Sequence, residues 1–222
     1  MIFFQPLVLA PFLFLFLLLL GVFFFFFIQI EIVRIAFRKL GLPPVVIFLV
    51  LLASLLGSRV NIPLYSLTRS AFLFSESPAT SPAASSISSM PSNDAIIAVN
   101  VGGAVIPILL CLYLLPKAPG LPTLSAVLCS ALACHAMATA IPGLGVTIPA
   151  LIPPLVAVLL SFIFSSKNKI PVAYISGVLG VLIGADIMNI SHFGSHPGII
   201  SIGGAGVYDG IFLVGILSSL LA

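Results

Sequence analysis

Apolar residues run along this chain almost without a break, and its polar residues fall into short clusters that cut the run into about seven segments. Residues 7–30, LVLAPFLFLFLLLLGVFFFFFIQI, form the longest, and Glu31, Arg34, Arg38 and Lys39 follow at once. A secretory signal would have a basic start, a shorter apolar core and a small-residue cleavage site, so this run reads as a first spanning helix. Further spans are expected at about 43–57, 95–115, 122–139, 147–164, 171–190 and 201–222. Barrel strands would alternate polar and apolar positions, whereas these runs are continuous. The expected fold is therefore all-α, a polytopic transmembrane helix bundle forming one integral membrane domain over residues 1–222. Asn61-Ile62-Pro63-Leu64 and residues 141–146 (IPGLGV) read as turns. Residues 75–94 are rich in Ser and Pro and read as a flexible loop.

Composition agrees with the pattern. Hydrophobic residues make up 61% of the chain and charged residues 6%, against about a quarter charged in a soluble domain. The net charge of +3 is spread over loops, which excludes a nucleic-acid partner as the reading and leaves the lipid bilayer as the expected one. Cys111, Cys129 and Cys134 lie in apolar runs with no paired spacing and read as small packing residues. No phosphate loop, dinucleotide fingerprint or metal-ligand spacing is present, so no cofactor and no metal are expected. His192 and His196 stand four apart, but Gly194 and Pro197 argue against a helix there, and they read as loop histidines. The sequence holds no signal for an oligomeric state.

Charge placement gives an orientation. With the N-terminus outside, the loops 31–42, 116–121 and 165–170 face the cytoplasm and carry Arg34, Arg38, Lys39, Lys117, Lys167 and Lys169, leaving only Arg59 and Arg69 of the 8 basic residues elsewhere. The excess of Lys and Arg on the cytoplasmic side favours N-out, C-in.

That orientation collects the polar residues of the spans at one depth. Only 5 carboxylates occur in the chain, and Asp186 and Asp209 both fall in spans. An ionised Asp at a membrane-helix centre costs roughly 2.5–3.5 kcal/mol on insertion scales, so such residues face partners or a wet cavity. At 1.5 Å per residue Asp186 lies roughly 6 Å and Asp209 roughly 10 Å below the outer surface. Asn100, His135 and the Pro149-Ala150-Leu151 turn come to the same level, and Asn189 stands one turn after Asp186. Gly177, Gly180 and Gly184, and again Gly203, Gly206 and Gly210, recur at i, i+3, i+7, giving smooth stripes that allow close helix approach.

Several of these stretches carry a family resemblance. Asn61-Ile62-Pro63-Leu64, VNVGGAVIP (99–107), IPALIPPL (148–155), AYISGVLGVLIGADIMNI (173–190) and SIGGAGVYDGIF (201–212) resemble an uncharacterised family of archaeal and bacterial membrane proteins, which implies a multi-spanning protein and no activity. A second, partial resemblance is to the intramembrane aspartyl proteases, the relatives of presenilin, signal peptide peptidase and prepilin peptidase. Tyr208-Asp209 matches their Tyr-Asp element and Pro149-Ala150-Leu151 their Pro-Ala-Leu turn. Gly184-Ala185-Asp186 departs from Gly-x-Gly-Asp at Ala185, and the order of the motifs along the chain is changed.

Three readings follow. In the first, Asp186 and Asp209 are catalytic: two carboxylates close together in low dielectric share a proton, and the ionised one activates water against the peptide carbonyl of a membrane-protein substrate. In the second, interrupted helices at Asn100, Gly102, Gly103 and Pro107, and at Pro149, Leu151 and Pro153-Pro154, free carbonyls for a small ion, and Asp186, Asn189, Tyr208 and Asp209 supply charge and further oxygen in a cation- or proton-coupled transporter or channel. In the third, the same polar residues form a structural knot between helices.

Overall fold

The computed structural model of the chain describes residues 6–68, 94–141, 145–190, 198–204 and 210–222. Helices α1 (Pro6–Lys39) and α2 (Pro44–Gly57) open it. Strands β1 (Asn61–Thr68) and β2 (Asp94–Asn100) follow, and β2 runs straight into a π-helical turn, Val101–Val105, that opens α3 (Ile106–Leu114). Then come α4 (Gly120–Met137), the short strands β3 (Thr139–Ile141) and β4 (Gly145–Thr147), α5 (Ile152–Phe164) and α6 (Lys169–Val181). A second π-turn, Leu182–Asp186, and a tight 3-10 turn, Ile187–Asn189, prolong α6; β5 (Gly198–Ile202) and α7 (Gly210–Leu221) end the chain.

The fold is mostly helical, but it is not all-α. β1, β2 and β5 form a sheet with β2 in the middle, antiparallel to β1 from Asn61↔Asn100 to Thr68↔Asp94 and parallel to β5 from Ala95↔Gly198 to Val99↔Ile202. β3 and β4 make a small antiparallel pair. Residues 95–100, 201 and 202 were expected to begin spanning helices, and they are strands instead. The physical reason is that a buried central strand is apolar on both faces and reads as a continuous run, which periodicity alone does not separate from a helix. The β-branched Ile96, Ile97 and Val99 were the local sign. Pro63 sits where the β1–β2 register shifts, in an edge strand, where its missing N–H breaks no ladder. The expected 75–94 loop lies almost wholly outside the described residues.

Three helices are long and apolar enough to cross a membrane: Pro11–Lys39, Gly120–Met137 and Lys169–Asn189. Four more apolar helices are shorter: Pro44–Gly57, Val101–Lys117, Ile152–Phe164 and Gly210–Leu221. The 12 residues of α7 and 13 of α5 reach only about 18–20 Å, against a hydrocarbon core of about 30 Å. α6 with its extension is the central element, 67% of its apolar window being buried. Residues 11–30 of α1 are exposed, and the helix meets the bundle through Ala36, Phe37 and Leu40, with Phe37 tilted against Phe212 at 6.1 Å.

Small residues let the helices close on one another. A Cβ added at Gly177 would lie 3.1–3.3 Å from Ser218, Val214 and Ala157, one at Gly180 would collide with Ser130, and one at Gly184 with the backbone carbonyl of Ala131. This is the packing expected where lipid removes the hydrophobic drive between helices. Ser161, Ser176, Ser218 and Ser219 donate to carbonyls three residues back, so their buried hydroxyls are partnered within their own helices.

The two ends of the bundle differ chemically. At one end Lys39 Nζ donates to Leu220 O (2.7 Å), Lys117 Nζ to Leu40 O (3.3 Å) and Asn168 Nδ2 to Lys117 O (2.8 Å), which gathers the ends of α1, α3 and α7 with the start of α6. The cations there meet the negative ends of helix dipoles. The strands, the π-turns and the side chains of Asn61, Asn100 and Asn189 lie at the other end.

Candidate functional site

The polar end is built around Asn100, the last residue of β2 and 1% exposed. Its Oδ1 accepts from Gly103 N at 2.8 Å and so caps the first π-turn. Its Nδ2 donates to Ser58 O at 2.7 Å and to Asn61 Oδ1 at 3.1 Å. Gly102 in that turn lies so close to α2 that an added Cβ would collide with Ser54 O and Ser58 N, and Ser54 Oγ donates back to Gly102 O at 2.9 Å. Gly102 is thus required by the approach of α2.

Across the sheet, Ser201 on β5 places its Oγ 2.7 Å from Asn61 Oδ1 and 2.7 Å from Gly204 O. Gly203 and Gly204 both have positive φ, +86° and +98°, the left-handed region that favours glycine. Gly203 also packs against Ala104, whose N would lie 2.8 Å from an added Cβ. Its N–H donates to Asp186 Oδ2 at 2.9 Å. A chain of contacts therefore runs from Ser58 and Asn61 through Asn100 and Ser201 to Gly203 and Asp186.

Asp186 ends the second π-turn and is half-buried. π-turns widen a helix and leave carbonyls out of the regular ladder, and they recur at functional sites. Here Asn189 fills that need. Its Nδ2 donates to Gly184 O and Ala185 O, each at 2.9 Å, and lies 3.3 Å from His135 Nδ1 on α4.

The structure thus brings Asn100, Gly102 and Gly103 into one network with Asp186, and joins Asn189 to His135 beside it. Pro149 and Leu151 stand apart. They form an exposed turn before α5, with Pro149 O accepting from Ile152 N at 3.2 Å, and no described hydrogen bond joins them to the network. Tyr208, Asp209, His192 and His196 lie outside the described residues. Among the described residues no group of His, Cys, Asp and Glu has the makings of a metal site. Asn61, Ser201, Gly203 and Gly204 were not singled out as site residues from the sequence. The signal was there in Asn61-Ile62-Pro63-Leu64 and SIGGAG, read as a turn and a helix stripe.

Residues 55–221 match the model of the family described as Protein of unknown function (DUF1614). The chain belongs to that family. Every residue of the Asn61–Asn100–Ser201–Asp186 network lies inside the DUF1614 match, whereas α1 and most of α2 precede it. Searches of curated proteins and of solved structures gave no match.

Proposed function

We propose that this DUF1614 protein is a multi-pass protein of the cell membrane, oriented N-out and C-in, that moves a small cation or a proton, with Asp186 as the charged group on the path. The observation that carries this reading is the placement of Asp186. Its carboxylate sits on the π-turn where α6 opens, bonded to Gly203 N, at the end of the bundle where the short helices α3, α5 and α7 begin. A half-buried carboxylate at the end of the bundle where half-length helices start, beside a π-turn, is how membrane carriers hold an ion partway through the bilayer.

The experiment is flux in liposomes reconstituted with purified protein, driven by a cation gradient or by a pH gradient. Asp186→Asn keeps size and removes charge. It is expected to lower flux about tenfold or more, since each 1.4 kcal/mol of lost ion stabilisation is a factor of ten. Unchanged flux in that variant would sink the reading. The hydrolase reading has one observation in its favour: the 2.9 Å bond ties Asp186 to the segment that leads, six residues on, to Asp209. It predicts that Asp186→Asn and Asp209→Asn each abolish cleavage of a membrane-embedded peptide, and cleavage surviving in either would end it.

A further inference from the structure

We propose that the end of α3, the end of α5 and the start of α6 form a binding site for the headgroup of an anionic phospholipid, with Lys117 and Lys169 as its cationic ligands. The two lysines lie on stretches that are tied together. Asn168 Nδ2 donates to Lys117 O at 2.8 Å, and Lys169 follows as the first residue of α6. Among the described residues the ion pair is Arg34 with Glu31, and neither Lys117 nor Lys169 has a carboxylate partner. Each ammonium sits on an aromatic ring, Lys117 Nζ 4.3 Å from the centre of Tyr113 and Lys169 Nζ 4.0 Å from the centre of Phe162. A ring face attracts a cation but carries no net charge, so both positive charges remain to be balanced. Lys117 Nζ also donates to Leu40 O at 3.3 Å and to Tyr113 Oη at 3.2 Å, which fixes it in place and leaves one of its three protons. A phosphodiester supplies what is missing, a negative charge and unprotonated oxygens that accept from ammonium groups.

The surroundings favour a lipid over a free phosphate. Tyr113 and Phe162 are 46% and 50% exposed, and Leu115 and Ile163, close to them in sequence, are 51% and 71% exposed. A soluble anion gains nothing from these apolar surfaces, whereas a phospholipid lays its acyl chains along them while its phosphate meets the ammonium groups. Aromatic rings beside cations are the pairing that marks the headgroup level of a bilayer. In the N-out, C-in orientation this end faces the cytoplasmic leaflet, whose anionic lipids attract basic residues at the ends of spanning helices. The site requires the membrane placement proposed above and is independent of transport.

The test is native mass spectrometry of the purified full-length protein in a neutral detergent. It is titrated with dioleoyl phosphatidylglycerol or with dioleoyl phosphatidylcholine, which has the same chains and no net charge. One phosphatidylglycerol per chain is expected to bind about tenfold or more tightly than phosphatidylcholine. Lys117→Gln combined with Lys169→Gln is expected to weaken that binding about tenfold or more. Lys117→Arg combined with Lys169→Arg keeps both charges and is expected to retain binding, which separates loss of charge from loss of the fold. Lys167 is exposed two residues before Lys169, and Lys167→Gln is expected to change binding less than about twofold. Equal affinity for the two lipids, or full binding in the double Gln variant, overturns the site. An equal loss in Lys167→Gln overturns it too, because it is the mark of diffuse surface charge. Displacement of the lipid by millimolar inorganic phosphate overturns the lipid as occupant and leaves a site for free anions.

Discussion

Replacing Asn100 tests the architecture of the polar end most directly, because one side chain there holds α2, β1 and the first π-turn together. Asn100→Ala leaves Gly103 N–H without its cap and Ser58 O without its donor, both at a residue 1% exposed. Loss of an N-cap costs about 1 kcal/mol, and a buried carbonyl left unpaired about 1–3 kcal/mol. Together these give about 2–4 kcal/mol. The informative companion is Asn100→Asp, which keeps shape and the cap to Gly103 but turns a donor into an acceptor facing Ser58 O and Asn61 Oδ1. It is expected to be at least as destabilising as Asn100→Ala at neutral pH. Its deficit shrinks on acidification, because the protonated carboxyl regains one donor.

The assay is the midpoint of thermal unfolding in a fixed detergent, read at two pH values, with the unaltered protein at each pH as reference. Asn100→Asp equal to the unaltered protein at neutral pH would refute the assigned orientation of the amide.

The other predictions concern packing and orientation. Gly184→Ala pushes a methyl into Ala131 O and is expected to destabilise by about 1–3 kcal/mol, while Gly21→Ala, with nothing within 4 Å, changes stability by no more than the helix propensity gain of about 1 kcal/mol; thermal midpoints separate the two. Tyr174→Phe removes a buried hydroxyl that has no partner among the described residues, and is expected to leave the midpoint unchanged or raise it. In a cysteine-free background, Lys167→Cys is expected to react with an impermeant maleimide only from the cytoplasmic side and Arg59→Cys only from outside; the reverse pattern would overturn N-out, C-in.

How much of this the sequence disclosed depended on the kind of signal. Long continuous runs located α2, α4 and the core of α6 to within about two residues of where they lie, since nothing else fits such runs. α1 extends through Glu31–Lys39, expected as a loop, because Glu31 and Arg34 pair at 3.0 Å one turn apart and a charged last turn still continues a helix. The stripe Gly177, Gly180, Gly184 is a real packing surface. The equivalent spacing beginning at Gly203 is not a helix stripe at that residue, because Gly203 follows a strand and has φ of +86°. Asn100, Asp186, Asn189 and His135 were legible as polar residues of one level from counting alone. Asn61 and Ser201 were not, because their role comes from strand pairing that spans 140 residues of sequence.

The shortness of the helices and the polar network at their starts are one problem with one solution. A helix that begins inside a bundle presents up to four N–H groups with no intrahelical partner, and lipid offers them nothing. α5 solves this by chemistry: its second and third residues are Pro153 and Pro154, both buried and neither bearing an N–H, while Ile152 N donates to Pro149 O. The first π-turn solves it with Asn100, and α3 continues with Pro107 near its start. Gly203 N–H, at the exit of β5, is taken by Asp186. Each of these prolines, and the Asn100 side chain, has a donor to remove or to satisfy, so their presence alone is evidence of structure and not of activity; Asp186 alone brings a charge that capping one N–H does not require.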